Sequence, residues 1–316
     1  MLKDVSHPLN HTATEMEVLD DILETLRFRG SIFFHSTLAA PWGMSLTSSA
    51  TPRFHVALEG GFYVGTSDSQ VSVQPMEIVM LPAGDMHWIA DQENRKLVPS
   101  ERAGQACEMG QALFQKGDIT NRLMCGVVEY DDAISHPIIS ALPSIFLVSD
   151  IHSEDSIWMT VKQIDTEIIR GGNKKSSIID RLTEVLFIQL IKQHITEDEH
   201  LQGFLSALRD PRMGKALQLI HKNPELHWTL EMIGEEVGMS RATLQRKFKS
   251  ELDMSPIMYL NRWRIAKAYQ LVKYSSRSLD RIAGSIGFSD ARTMRTAFQR
   301  QYGITPSELR RKEIAR

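Results

Sequence analysis

The chain has 316 residues, 42% of them hydrophobic and 24% charged, a mixture that suits two globular domains and excludes fibrous and collagen-like architectures. Its two cysteines, Cys107 and Cys125, exclude a disulfide-dense secreted scaffold and a four-thiolate zinc site. The net charge of −3 conceals a division: residues 209–316 carry 21 Lys and Arg against 11 Asp and Glu, a balance of +10, and the remainder carries −13. A basic third on an otherwise acidic chain points to a polyanionic partner for that third. The opening residues MLKDVSHPLNHTATEMEVLDD hold no basic start followed by an apolar run, and no 18-residue apolar stretch follows. A cytoplasmic protein without a membrane partner is expected.

In chain order, MEVLDDILETLRF sets Met16, Leu19, Leu23 and Leu26 at helical spacing and predicts a leading helix. From Ser31 to about Tyr130 short apolar runs (SIFFHSTL, FHVALEG, FYVGT, QVSVQ, EIVMLP, RLMCGVVEY) are separated by Gly60-Gly61, Pro75, Pro82 and Gly84. Such spacing predicts a β-sandwich or small barrel. After Pro143 the period changes, and residues 156–170 and 176–195 predict two helices broken at Gly171-Gly172, with Ser176 or Ser177 as cap. The second of these carries Ile178, Ile179, Leu182, Val185, Leu186, Leu190 and Ile191, an apolar surface broad enough for more than one neighbour. It suits either packing on the strand region or a dimer seam. TEDEHLQ then predicts a linker, placed at 196–208.

The basic third contains a repeat. Leu230, Ile233, Val237, Gly238, Met239 and Ser240 recur 49 positions later as Leu279, Ile282, Ile286, Gly287, Phe288 and Ser289; after one inserted residue, Leu244, Phe248, Leu252, Ser255 and Pro256 recur as Met294, Phe298, Tyr302, Thr305 and Pro306. Each unit is a short helix, a Gly-apolar-Ser turn and a second helix, the layout of a helix-turn-helix. With Leu244, Phe248 and Leu252 inward, Ala242, Gln245, Arg246 and Lys249 face out, beside Arg241 at the helix start. In the second unit Met294, Phe298 and Tyr302 are expected inside, with Arg292, Arg295, Thr296 and Gln299 outside. Arg and Gln make bidentate contacts with guanine and adenine edges in the major groove, and Lys suits phosphates. Between the units SPIMYLNRWRIAKAYQLVKY predicts one helix, about 30 Å long and close to the ~34 Å between successive major-groove faces.

The stretch RWRIAKAYQLVKYSSRSLDRIAGSIGFSDARTMRTAFQRQYGITPSELRR resembles the C-terminal signature of the AraC/XylS family of bacterial transcriptional regulators, and TLEMIGEEVGMSRATLQRKFKSELDMSPIMYL resembles the preceding half. The resemblance implies base-reading helices at Ser240–Ser250 and Asp290–Arg300. Ala242 stands where relatives can have a larger contacting side chain, and Arg310 matches the closing arginine of the motif. FHVALEGGFYVG with MEIVMLPAGDMHWI resembles a cupin, the β-barrel that serves as sensory module in this family, over about residues 12–150. The implied fold is α+β: a cupin-like effector-sensing and dimerisation domain at 12–195 (barrel about 31–150, helices 156–195), the linker, and an all-α double helix-turn-helix domain at 209–312. Implied partners are double-stranded DNA, a small-molecule effector, a second copy of the chain and RNA polymerase.

A cupin metal centre needs a His-x-His pair, a carboxylate and a further His. Here His55 is followed by Val56 and Ala57, Pro82-x-Gly84-x-x-His87 retains the later half, and Met76 replaces a glycine. His55, His87 and His35 could together form a three-nitrogen site, but packed or hydrogen-bonded histidines are the expectation, with no metal or other cofactor. A small-molecule pocket lined by Phe54, His55, His87 and Trp88 is the more economical reading. A thiol-based redox sensor would need a reactive Cys107 or Cys125, and Cys125 lies in an apolar run that favours an inert buried thiol. No catalytic residues are expected. The alternatives are a cupin metalloenzyme fused to a DNA-binding module and an alkylation-repair methyltransferase; the latter needs four cysteines or a Pro-Cys-His motif that the chain lacks.

Overall fold

The structure, a computed structural model, describes residues 9–49, 51–108, 113–131, 134, 136–171, 176–198 and 201–314. It divides into two compact units: one comprises Phe28–Tyr130 and Leu142–Asp198, the other Met1–Arg27, Asp131–Ala141 and Glu199–Arg316.

Among the described residues the first unit is built on ten strands: β1 (Arg29–Ala39), β2 (Gly43–Leu46), β3 (Arg53–Glu59), β4 (Phe62–Gly65), β5 (Gln70–Val73), β6 (Ile78–Leu81), β7 (His87–Ala90), β8 (Val98–Pro99), β9 (Ile119–Glu129) and β10 (Phe146–Val148). They form two five-stranded sheets, ordered β1-β9-β3-β6-β10 and β5-β4-β7-β2-β8. Every pairing is antiparallel except β2 with β8. Strand residues alternate between faces. The inner faces meet in a core holding Leu38, Trp42, Ala57, Phe62, Val79 and Leu123. Trp42 is fixed there by its indole N–H, which donates to Asn121 Oδ1 at 2.9 Å.

The helices α2 (Ser100–Glu108), α4 (Ser156–Gly171) and α5 (Ser177–Glu197) also belong to this unit. α5 packs on β1, β9 and β10. The approach to β1 requires a glycine, since a Cβ at Gly30 would lie 2.6 Å from the Thr183 side chain. Phe187 meets Phe28 at 4.7 Å between ring centroids, and His194 stacks on Phe146 at 4.1 Å. α4 is tied to the sheet by Asp165, which accepts from His35 at 2.7 Å and from Arg122. Ser176 holds the extended N-cap backbone of α5 but makes no side-chain cap bond. Gly172, half of the expected break, lies outside the described residues.

The second unit is helical and assembled from three stretches of chain. It contains α1 (Leu9–Leu26), α3 (Pro137–Ala141), α6 (Gly203–Arg209), α7 (Pro211–Lys222), α8 (Leu230–Val237), α9 (Arg241–Leu252), α10 (Pro256–Tyr274), α11 (Leu279–Ser285), α12 (Ala291–Tyr302) and α13 (Pro306–Ile314). The segment expected as a linker is helical up to Glu197 and again from Gly203. Phe204, Leu205 and Leu208 of α6 are buried, because their spacing gives even a seven-residue helix one apolar face to pack on α7 and α9.

The leading helix α1 belongs to this unit and packs along α7, with lesser contact on α6 and α10. Its Asp21 carboxylate accepts from Lys267 at 2.7 Å and His221 Nδ1 at 3.1 Å. These bonds continue inward as a one-way chain. His221 Nδ1 donates to Asp21, so the neutral ring's Nε2 accepts from the Tyr259 hydroxyl at 2.6 Å. That hydroxyl accepts from His136 Nε2 at 3.1 Å, and His136 Nδ1 accepts from the Ile138 N–H at 3.2 Å. Burial holds both imidazoles below their ordinary range, as neutral rings able to do this.

Candidate nucleic-acid interface and barrel cavity

The two predicted reader helices are α9 and α12, and their starts are set by local chemistry. Ser240 caps α9 by accepting from the Thr243 N–H at 3.2 Å. In the second unit the cap is Asp290, accepting from the Thr293 N–H at 2.7 Å. The inserted residue of the repeat thus falls at the cap, and Ser289 turns its hydroxyl onto Asp290 instead. Gly238 ends α8 with φ 65° and ψ 37°, a left-handed conformation that glycine adopts freely.

The equivalent Gly287 has φ 84°, and a Cβ on it would lie 2.6 Å from the Arg264 guanidinium and 2.8 Å from the Glu225 backbone. Arg264 is buried and donates to the carbonyls of Pro224 at 2.6 Å and Leu226 at 2.8 Å. Gly287→Val is therefore expected to destabilise the helical unit by at least about 2 kcal/mol, through the left-handed backbone penalty and displacement of Arg264. Thermal unfolding measures this, and an unchanged midpoint would contradict it.

The inward stripe is as expected for Leu244, Phe248, Leu252, Met294 and Phe298, all buried. Tyr302 is half-buried, its ring 4.8 Å from those of Tyr269 and Phe298. α10 holds both readers: Phe248 packs on Tyr259 near its start, and Phe298 stacks on Tyr269 near its end. Those ten residues separate the two anchor points by about 15 Å along the axis. All nine proposed DNA-facing residues, Arg241, Ala242, Gln245, Arg246, Lys249, Arg292, Arg295, Thr296 and Gln299, are exposed. Ala242, Gln245, Arg246 and Lys249 line one groove with Ser255. Arg241 pairs with Glu231 at 2.9 Å, and Lys249 pairs with Asp253. Arg310, outside the reader helices, donates to the Arg277 carbonyl at 2.8 Å and so fastens α13 behind the second unit.

In the cupin unit, alternation separates the four pocket candidates. His55 and His87 point inward and meet, Nε2 to Nε2, at 2.8 Å. Phe54 faces the other way, its ring over Gly126, and Trp88 lies over Gly65. His87 Nδ1 donates to the Asp85 carbonyl at 2.7 Å, so its Nε2 accepts and His55 Nε2 donates. That leaves His55 Nδ1 as a buried acceptor with no partner among the described residues. His35, the third conceivable metal ligand, is on the outer face with Asp165. Among the described residues no group of three His, Cys, Asp or Glu side chains is placed to hold a metal ion.

Burial pushes the His55 imidazole well below its ordinary range and His87 down to about 4, with the nearby Arg53 charge acting the same way. Histidines of the unfolded chain titrate near 6.5. As pH falls from about 6.5 toward 4, the unfolded state takes up protons that the folded barrel refuses, and stability is lost across that window; above it this effect vanishes. His87 alone contributes roughly 3 kcal/mol of loss by the acid end. Hydrogen exchange of β3 and β7 amides, recorded at pH 7 and near pH 4, is expected to show this, with a shallower dependence in His87→Leu. Equal dependence in both proteins would refute the assignment.

A cavity of about 200 Å3 opens in this unit, lined by Phe33, Phe34, Met44, Leu46, Ile89 and Cys125, with Ser100, Glu101 and Gly104 supplied by α2. None of the four sequence candidates lines it, but two border it. His87 is the register partner of Leu46 and His55 that of Cys125. The signal that could have found this lining is the inward parity of β2, β7 and β9, which only strand register reveals. Cys125 is buried and its thiol is pushed far up by burial, the state of an inert cysteine. The side chain of Cys107 lies outside the described residues.

A cupin family profile matches residues 17–196, more than half of the chain, and a helix-turn-helix domain profile matches residues 233–312. The chain is similar along nearly its whole length to the HTH-type transcriptional regulator AlkR of Acinetobacter baylyi, at 26% identity over 313 residues covering 93% of this chain and 99% of that protein. It is likewise similar to the HTH-type transcriptional regulator MtrA of Neisseria gonorrhoeae, at 25% identity covering 94% and 98%. Among solved structures, the DNA-binding domain of the global transcriptional factor AdpA in complex with a target DNA is 29% identical, covering 34% of this chain and 95% of that one with a TM-score of 0.32. No helix among the described residues is long and apolar enough to cross a membrane. The chain belongs to the AraC/XylS family of transcriptional regulators, with a cupin domain ahead of a helix-turn-helix domain that binds DNA.

Proposed function

We propose that the protein reads a specific operator through α9 and α12 and that a small molecule in the cupin cavity alters this binding, without enzymatic turnover. The observation that carries the reading is the pair of capped helices whose exposed faces hold Arg246, Gln245, Arg292, Arg295 and Gln299 on a region of charge +10. An effector acts only if it binds two arrangements of the protein unequally. The acting form is a homodimer that engages RNA polymerase. Support for the seam comes from α5, where Ile178 is 53% and Val185 45% exposed although the opposite side of the helix is buried. Mapping bound DNA across the genome, with transcript levels in a deletion strain, tests the function and names the regulated genes; no enriched sequence motif would defeat it. Sedimentation at micromolar concentration tests the dimer, and Ile178→Glu with Val185→Glu is expected to give monomers.

A further inference from the structure

The cupin-unit cavity, at about 200 Å3, is somewhat larger than the ~150 Å3 of an engineered apolar cavity that takes up benzene. Phe34, Met44, Leu46 and Ile89 give it uncharged walls, and the Cys125 thiol stays protonated. Its polar groups come from α2 alone, as Ser100 and Glu101. Glu101 accepts from the Thr47 hydroxyl at 3.2 Å through one oxygen, and an ionised carboxylate offers further acceptor sites but no donor. Arg53 is outside the lining and gives a guanidinium N–H to the Thr47 carbonyl at 2.8 Å. Glu101 is exposed at the cavity mouth, so a ligand carboxylate seated beside it would meet a like charge, with no cation among the residues lining the cavity. Beside Glu101, a Cβ built on Gly104 meets nothing within 4 Å, so the α2 backbone leaves the space open.

We propose that this cavity takes a compact, uncharged molecule, one ring or about six to eight carbons in size, whose hydroxyl or amide N–H donates to the Glu101 carboxylate. The proposal rests on the effector-binding reading of the cupin unit and names the chemical class for it. The ligand's apolar body replaces water against Phe34, Leu46 and Ile89, and its single donor sets the orientation. Acids of the same shape are excluded by charge, and chains much longer by volume.

Titration calorimetry of the full chain with benzyl alcohol and with benzoate provides the test, alongside gel-shift titration of the same sample on its mapped operator. Saturable binding of benzyl alcohol at least about tenfold tighter than benzoate is expected. Glu101→Gln should narrow that gap to a few-fold, because an amide accepts a hydrogen bond without repelling an anion. Ile89→Trp fills the cavity and should abolish binding; Gly104→Leu obstructs the same space from α2 and keeps the test available if the core variant fails to fold. Benzoate binding as tightly as benzyl alcohol, no benzyl alcohol binding, or undiminished binding in a folded filling variant would overturn the proposal. Operator binding retained in those cases leaves the regulator reading standing, whereas loss of operator specificity in the parent protein defeats that reading separately.

Discussion

Removing residues 1–27 is expected to unfold the helical unit or lower its melting temperature severely, although every residue proposed to read DNA would remain. Val18, Leu19, Ile22, Leu23 and Leu26 are at most 3% exposed, and full burial of such side chains stabilises by about 1.5–3 kcal/mol each. Five of them amount to roughly 7–15 kcal/mol as an upper bound, the size of a whole domain's stability. Their loss would also strip Asp21 from Lys267 and His221, so that Tyr259 would donate into a chain with no terminal acceptor. The point variant Asp21→Ala isolates that polar part, and a loss of about 2–3 kcal/mol is expected for two charge-assisted bonds at a half-buried carboxylate. Calorimetric unfolding of the full chain, of Asp21→Ala and of the chain lacking residues 1–27 provides the comparison. A truncated chain whose helical unit melts where that of the full chain melts would show that α1 adds nothing.

The second large effect concerns recognition itself. On the proposed readout, Arg246→Ala and Arg292→Ala should each weaken operator binding by about 1–3 kcal/mol, or about 5- to 150-fold, and relax the preference at one base pair. Both guanidiniums are exposed, on turns of α9 and α12 that face away from Phe248 and Phe298. Lys249→Ala should act differently. Its ammonium is paired with Asp253 in the free protein; on the proposed readout it moves to a phosphate, so its loss should weaken all sequences alike and flatten the salt slope by about 0.9. Binding measured on the operator and on single-base variants, at several salt concentrations, separates the two patterns. Uniform loss for the arginines would make them phosphate contacts.

The reader helices could be located without coordinates because their signals are short-range. The stripe Leu244, Phe248, Leu252 and the cap at Ser240 lie within a few turns of each other, and helical period and capping act over that distance; in the second unit the cap is Asp290 in place of the expected Ser289. The same holds for α4, α5 and α10, whose ends fall within two residues of the expected ones. Spacing also marked α1 as a helix, and the expected boundary at residue 12 put it with the cupin-like domain, whereas it packs in the helical unit. That was decided by Asp21 finding partners 200 and 246 residues away. The segment near His136 is a like case, fastened by Tyr259, 123 residues on.

The barrel shows the same division at the level of single side chains. A period of two says that Phe54 and His55 face opposite ways, yet it does not say which way is in. Strand register decided that, turning His55 toward His87 and Phe54 onto Gly126. It also brought Phe34, Met44, Leu46, Ile89 and Cys125 around one space from four strands. Family, the strand-rich region ahead of the paired helix-turn-helix units and the exposed stripes of α9 and α12 were thus legible in the sequence alone, since each is written in neighbouring residues. The tertiary structure alone decided the cavity's lining, the fate of His35 and the seat of α1, because each depends on pairings between residues far apart in the chain.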